Sequence, residues 1–163
     1  MKRPKDFVAI LDFGAQYSLL IARTVREAKV YSEVFPYNIR LADLKKLKPR
    51  GIILSGGPDS VYAKGAPHSD PGIYKLDVPV LGICYGMQLM GYQLGGKVKQ
   101  MGKGEYGRAE IHQIQSSELF GDLNPDLIGW MSHGDIVEEV PAGFENYAVT
   151  DQIPSAAMGH ASR

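Results

Sequence analysis

The chain has a single cysteine, Cys84, among 163 residues, and no excess of charge, with 18 Lys and Arg against 18 Asp and Glu. A lone cysteine forms no internal disulfide, so no disulfide framework is expected. A formal charge of zero removes the broad attraction that nucleic acid or an anionic membrane would need, which leaves small molecules or another protein surface as ligands. Long apolar runs are also missing. The opening "MKRPKDFVAILD" is interrupted by Asp12, too early for a signal peptide or a membrane span. These absences give the expectation of a cytoplasmic protein with neither nucleic acid nor membrane as partner. The sequence further lacks a G-x-x-x-x-G-K-[ST] phosphate loop, a metal-ligand cluster, an internal repeat and any linker-like tract, so one domain over 1–163 is expected.

What is present is an alternation of apolar strand-like runs with Gly-rich turns and helical patterns, the signature of an α/β domain. "FVAILD" (7–12) is short and almost wholly apolar, as a strand buried on both faces of a parallel sheet should be. "SLLIARTVREA" follows as a helix whose stripe is expected to be Ile21, Val25 and Ala28. "VYSEVFP" and "GIILS" read as strands, with "LADLKKLKP" a short helix between them. Residues 61–77 read as loop, "VPVLGI" as a fourth strand, and "YGMQLMGYQLGG" as a helix ended by Gly95 and Gly96. Beyond Lys97 the segments shorten to "RAEIHQIQ", "IGWMSH", "DIVEEV" and "NYAVTD", read as small antiparallel strands. The expected fold is a mostly parallel open sheet flanked by helices with a small antiparallel addition, its site at the carboxyl ends of the early strands.

Cys84 lies at such an end. Gly82-Ile83-Cys84-Tyr85-Gly86 has the G-x-nucleophile-x-G form of a strand-to-helix elbow, where flanking glycines allow a turn that a Cβ would obstruct. A helix start also favours a thiolate, whose unperturbed pKa is about 8.5. Attack on a carbonyl carbon needs donors for the oxyanion. The N–H of Tyr85 and the glycine turn "SGGP" (55–58) are the visible sources. Gln88, four residues on, falls on the same helix face as the thiol and could orient a polar substrate. Spacing alone reads Ser132-His133-Gly134-Asp135 as a turn, with Gly134 at the bend and Asp135 capping it.

"GICYGMQ" resembles the nucleophile motif of the class I glutamine amidotransferases. Together with "LDFGAQYSLLIARTVRE", "GIILSGGPDSVY", "GEYGRAEI" and "WMSHGD", it is similar to the glutaminase part of the GMP synthases, in the expected order from Leu11 to Asp135. The resemblance implies a flavodoxin-like core and makes Cys84 the nucleophile that takes ammonia from glutamine through a thioester. It gives the oxyanion hole to the backbone amides of Gly57 and Tyr85, and the substrate to Gln88, Ser132, His133, Gly134 and Asp135. It also implies a partner: a synthetase domain or subunit, where ATP and magnesium activate xanthosine monophosphate (XMP) for amination, no cofactor or metal being expected in this chain. The family's general base and its carboxylate come from a His-Pro-Glu motif, and none of His68, His112, His133 and His160 is followed by Pro-Glu. The domain is therefore expected to be incomplete at its C-terminus, and the chain inactive in turnover. Two other readings stay open at this stage: a different cysteine-elbow hydrolase, and a non-catalytic binding or regulatory module.

Overall fold

The computed structural model describes Pro4 and residues 6–160, so both ends of the sequence, including the Ser-Arg at which "AAMGHASR" closes, lie outside the described residues. The chain divides into two compact units, residues 1–90 and 91–163.

The first unit is a parallel sheet of four strands in the order β2-β1-β3-β4, made of β1 (Val8–Asp12), β2 (Ser32–Pro36), β3 (Gly51–Leu54) and β4 (Val80–Gly82). β1 and β3 are central, so the apolar runs seen in the sequence are sealed on both faces. Ala9, Ile10, Leu11, Ile52 and Leu54 are all buried. β4 is an edge, and its Leu81 is 38 % exposed. α1 (Ser18–Glu27) and α2 (Leu41–Leu47) make the crossovers. One face of α1 covers a cluster of Ile10, Ala22 and Ile53, joined by Val8, Ile21, Val25 and Val34. The expected stripe is thus corrected at one position. Ala28 is exposed and caps the helix, while Ala22 and Ser18 take the buried places. Ser32 Oγ donates to the Ala22 carbonyl at 2.9 Å, and Arg26 donates to the Ser32 carbonyl at 2.8 Å, so the first residue of β2 is tied twice to α1. α2 ends one residue earlier than Pro49 suggests, on Lys48 in the left-handed region with φ 53°. The segment 61–77 is loop except for a 3₁₀ turn, Pro71–Lys75, started by Asp70 accepting from the Gly72 N–H.

α3 (Tyr85–Gln93) runs on from β4. It closes where the two glycines predict. Gly96 N–H reaches the Gly91 carbonyl at 2.8 Å and Gly95 N–H the Tyr92 carbonyl at 3.4 Å, with Gly95 at φ 91°. This is the Schellman arrangement, which needs a left-handed residue at the Gly95 position.

The second unit is an antiparallel sheet in the order β6-β5-β7-β8. Its strands are longer than the sequence suggests: β5 spans Lys97–Gln113 and β6 spans Asp126–Glu139, followed by β7 (Phe144–Val149) and β8 (Ala157–His160). "IGWMSH" and "DIVEEV" therefore belong to one strand. The expected turn at 132–135 is wrong, because Gly134 lies inside β6. The ladder pairs Glu105 with His133 and Gln100 with Asp135, so residues 101–104 of β5 bulge opposite Gly134. A glycine in a strand interior marks a bulge as readily as a turn, and here the bulge is on the partner.

Candidate active site at the strand-to-helix elbow

The elbow forms as the glycine spacing requires. Cys84 stands between β4 and α3 with φ 52°, one of three non-glycine residues at positive φ among the described residues. Its thiol-bearing residue is exposed. Left-handed backbone at a residue with a Cβ is costly and persists only where the surroundings enforce it. The surroundings here are close backbone approaches on both sides. A Cβ on Gly82 would lie 2.6 Å from the Gly86 carbonyl carbon and oxygen, and a Cβ on Gly86 would lie 2.3 Å from the Leu54 carbonyl oxygen. Ile83 N–H donates to the Leu54 carbonyl at 3.0 Å, Gly86 N–H to Ile83 at 3.0 Å, and Gln88 N–H to the Cys84 carbonyl at 3.0 Å. The last of these is the first bond of α3, so Cys84 occupies the N-cap position and Tyr85 is the first helical residue. Its N–H belongs to the group that a helix leaves without intrahelical partners.

The "SGGP" turn lies beside the elbow. A Cβ on Gly56 would stand 3.7 Å from Cys84 Cβ, ordinary contact distance, while one on Gly57 would stand 2.8 Å from the Phe13 carbonyl oxygen. Glycine is thus obligatory at 57 for closeness to the β1 end. Ser55, which sequence reasoning left without a role, fixes the turn. Fully buried, it accepts from the Phe13 N–H at 3.0 Å and donates to the Gly56 carbonyl at 2.9 Å. Its signal in the sequence was only its place after an apolar strand. Asp12 plays the matching part at the end of β1, with Oδ1 accepting from Gly14 N–H at 2.9 Å and Ser18 Oγ at 2.6 Å.

Tyr85 is buried, its ring 5.4 Å from that of Phe13, and its hydroxyl donates to the Pro67 carbonyl at 2.8 Å. Burial first, then the Asp59 charge and Tyr37, raise its pKa to about 12. It therefore stays a neutral donor that ties the helix start to the 61–70 loop. Gln88 is buried one helical turn on. In the first unit the structure thus gathers Cys84, Tyr85, Gly57 and Gln88 on neighbouring turns. A cleft of about 640 Å³ in this unit, lined by Asp12, Tyr37, Asp59 and others at the ends of β1 and β2, does not include Cys84.

The remaining expected residues, Ser132, His133, Gly134 and Asp135, are in the second unit, on β6. Each imidazole is engaged. His68 turns Nε2 to the Val61 carbonyl at 2.7 Å, and His160 meets Phe144 edge-on at 5.4 Å. His112 pairs with Asp126 at 2.8 Å, and that hydrogen bond holds its pKa above the ordinary value. His133 faces the Asp135 carbonyl with Nδ1 at 3.1 Å and Glu105 with Nε2 at 3.3 Å. Among the described residues no helix is long and apolar enough to cross a membrane.

Residues 9–163 match the family described as "Glutamine amidotransferase class-I". Over 153 residues the chain is 54 % identical to the GMP synthase [glutamine-hydrolyzing] of a Synechocystis species, covering 94 % of this chain and 28 % of that protein. It is 50 % identical to that of Bacillus licheniformis over 157 residues, covering 96 % of this chain and 31 % of the relative. The chain thus spans less than a third of the length of these curated relatives. Among solved structures, a putative GMP synthase component from Thermoplasma acidophilum superposes with a TM-score of 0.87 at 24 % identity, over 99 % of this chain and 81 % of that one. A glutamine amidotransferase from Thermotoga maritima gives 0.74 at 18 % identity, over 96 % and 71 %. These two likenesses concern the fold, a parallel sheet with flanking helices and an antiparallel addition. With the family match extending over nearly the whole sequence and the glycine-framed cysteine elbow inside it, the chain belongs to the class I glutamine amidotransferases.

Proposed function

We propose that this chain is the glutaminase part of a GMP synthase. The observation that carries the reading is Cys84 itself, an exposed thiol on a left-handed elbow with a glycine turn in contact range. In this reading the thiolate attacks the side-chain carbonyl carbon of glutamine, and the carbonyl π-pair moves onto oxygen. That oxyanion is taken by the N–H groups of Gly57 and Tyr85, donors worth about 2.7–4 kcal/mol each where such a hole is preformed. Collapse expels ammonia once the nitrogen is protonated and leaves a glutamyl thioester, which water cleaves to glutamate and free thiol. Gln88 orients the amino acid, and the resemblance adds Ser132, His133, Gly134 and Asp135 as its contacts, with Asp135 taking the α-ammonium. Both units then belong to one glutaminase-type domain. The ammonia serves an ATP- and magnesium-dependent synthetase domain or subunit that aminates XMP to GMP, in the cytoplasm. The support is the identity of about half to GMP synthases over almost all of this chain.

The test is substrate discrimination. Asparagine, one methylene shorter, leaves its carbonyl short of Cys84, and glutamate brings an anion to the thiolate. Glutamine is therefore expected to slow alkylation of Cys84 by a small haloacetamide, and the other two to leave it unchanged. Equal protection by all three, or none by glutamine, would overturn the reading.

A further inference from the structure

β5 carries a carboxylate at Glu105 in a position where its own strand pattern calls for an apolar or small residue. Glu105 is in phase with Gly107, Ala109 and Ile111, on the face opposite the exposed Tyr106, and is itself only 4 % exposed. A buried carboxylate costs several kcal/mol unless its partners offset that, and an apolar residue of similar size would commonly serve stability as well. Its partners are therefore informative. Thr150 Oγ1 accepts from the N–H groups of Gln152 and Ile153, each at 3.2 Å, which leaves its one proton to point at Glu105 Oε1, at 2.9 Å. The other oxygen, Oε2, is buried, lacks an aligned hydrogen-bond donor, and stands 3.3 Å from His133 Nε2. The same imidazole turns Nδ1 to the Asp135 carbonyl at 3.1 Å. Two acceptors thus face the two ring nitrogens and hold the ring between them.

This chain of contacts sits where the backbone ladder gives least support. Between the Glu105–His133 and Gln100–Asp135 pairs, residues 101–104 bulge away from Gly134, so β6 is without regular cross-strand pairing at that point. We propose that Glu105 is a positioning residue for the substrate: anchored by Thr150, its buried carboxylate holds His133, and through His133 fixes the 132–135 segment that receives the α-ammonium of glutamine. The substrate half of this assignment rests on the function proposed above. The positioning half concerns the second unit alone. His133 in this arrangement is a strut, approached at both ring nitrogens by groups of its own unit.

The experiment compares the chain with Glu105→Gln, His133→Gln and the double variant by backbone amide exchange at residues 132–135 and by calorimetric titration with glutamine. Glu105→Gln keeps the shape and an acceptor for Thr150 but removes the charge. It is expected to speed exchange at 133–135 and to weaken glutamine binding, each about tenfold, as for loss of one hydrogen-bonded charged contact. The double variant should be no worse than the worse single one. Exchange at the level of the parent chain, or additive losses, would overturn the assignment. Should Glu105→Gln lose its fold, Thr150→Val removes the anchoring donor alone and should loosen 132–135 more than the ribbon at 107–112; equal loosening of both would count against it. If the parent chain binds no glutamine, the proposed function falls, while the exchange comparison still decides whether Glu105 holds the segment.

Discussion

Given glutamine, the 163-residue chain is expected to release almost no ammonia, whereas the same chain joined to a segment bearing the family's His-Pro-Glu motif should turn over. Expulsion of ammonia from the tetrahedral intermediate needs a proton delivered to nitrogen, and thioester hydrolysis needs a base for water. None of the four histidines is followed by the family's Pro-Glu, and each is engaged within its own unit. His68 is bonded to Val61, His112 to Asp126 and His133 to the Asp135 carbonyl with Glu105 3.3 Å from its other nitrogen, and His160 packs on Phe144. By analogy with loss of the base in a serine protease, the difference in turnover should be on the order of 10⁶. Cys84→Ser in the joined protein should remove the activity again. Comparable rates for the two proteins would require one of these four imidazoles to be the base. A joined protein that alkylates at Cys84 yet stays inactive would assign the deficit to a synthetase partner.

The second large effect is steric. Gly86→Ala places a Cβ 2.3 Å from the Leu54 carbonyl oxygen and 2.7 Å from Leu54 Cβ, in the middle of the elbow. Leu54 is buried in a central strand, and its carbonyl accepts the Ile83 N–H, so the neighbour cannot withdraw without opening the β3–β4 end. The expected cost is about 3 kcal/mol, the upper part of the range for overpacking, or roughly 6–12 °C in melting temperature for a chain of this size. Cys84 should lose its selective reactivity along with it. Gly102→Ala, in open space on the β5 bulge, is the matched control and should change stability by less than about 0.5 kcal/mol. A Gly86→Ala chain as stable as the control would mean that the elbow is not held by this contact.

The contrast between these two glycines also explains what the sequence could and could not reveal. The first unit was legible because local and global signals agree. "VAILD" and "GIIL" are apolar on both faces since β1 and β3 are central, and the glycines at 82 and 86 are confined by backbone on each side. The second unit was less so. Gly134 carries the same letter as a turn glycine, and nothing in "SHGD" shows that β5 bulges by four residues opposite it. Two strands were therefore expected where one 14-residue strand runs. The spacing of Ala28 fits the buried stripe, but the helix stops at Glu27 and the stripe ends with it. Glu105 is hidden in the sequence because charged residues usually face water. Its period-two phase with Ala109 and Ile111 was the available signal, and only the paired strand makes it readable.

If Cys84 is a nucleophile shaped for glutamine, the site and rate of its covalent labelling by a chloroketone analogue of glutamine, which needs no protonated leaving group, will show it. Intact mass and peptide mapping should find one adduct per chain, on Cys84, formed much faster than with chloroacetamide at equal concentration. Labelling spread over other side chains, or a Cys84 that reacts no faster with the glutamine-shaped ketone than with chloroacetamide, would contradict the account.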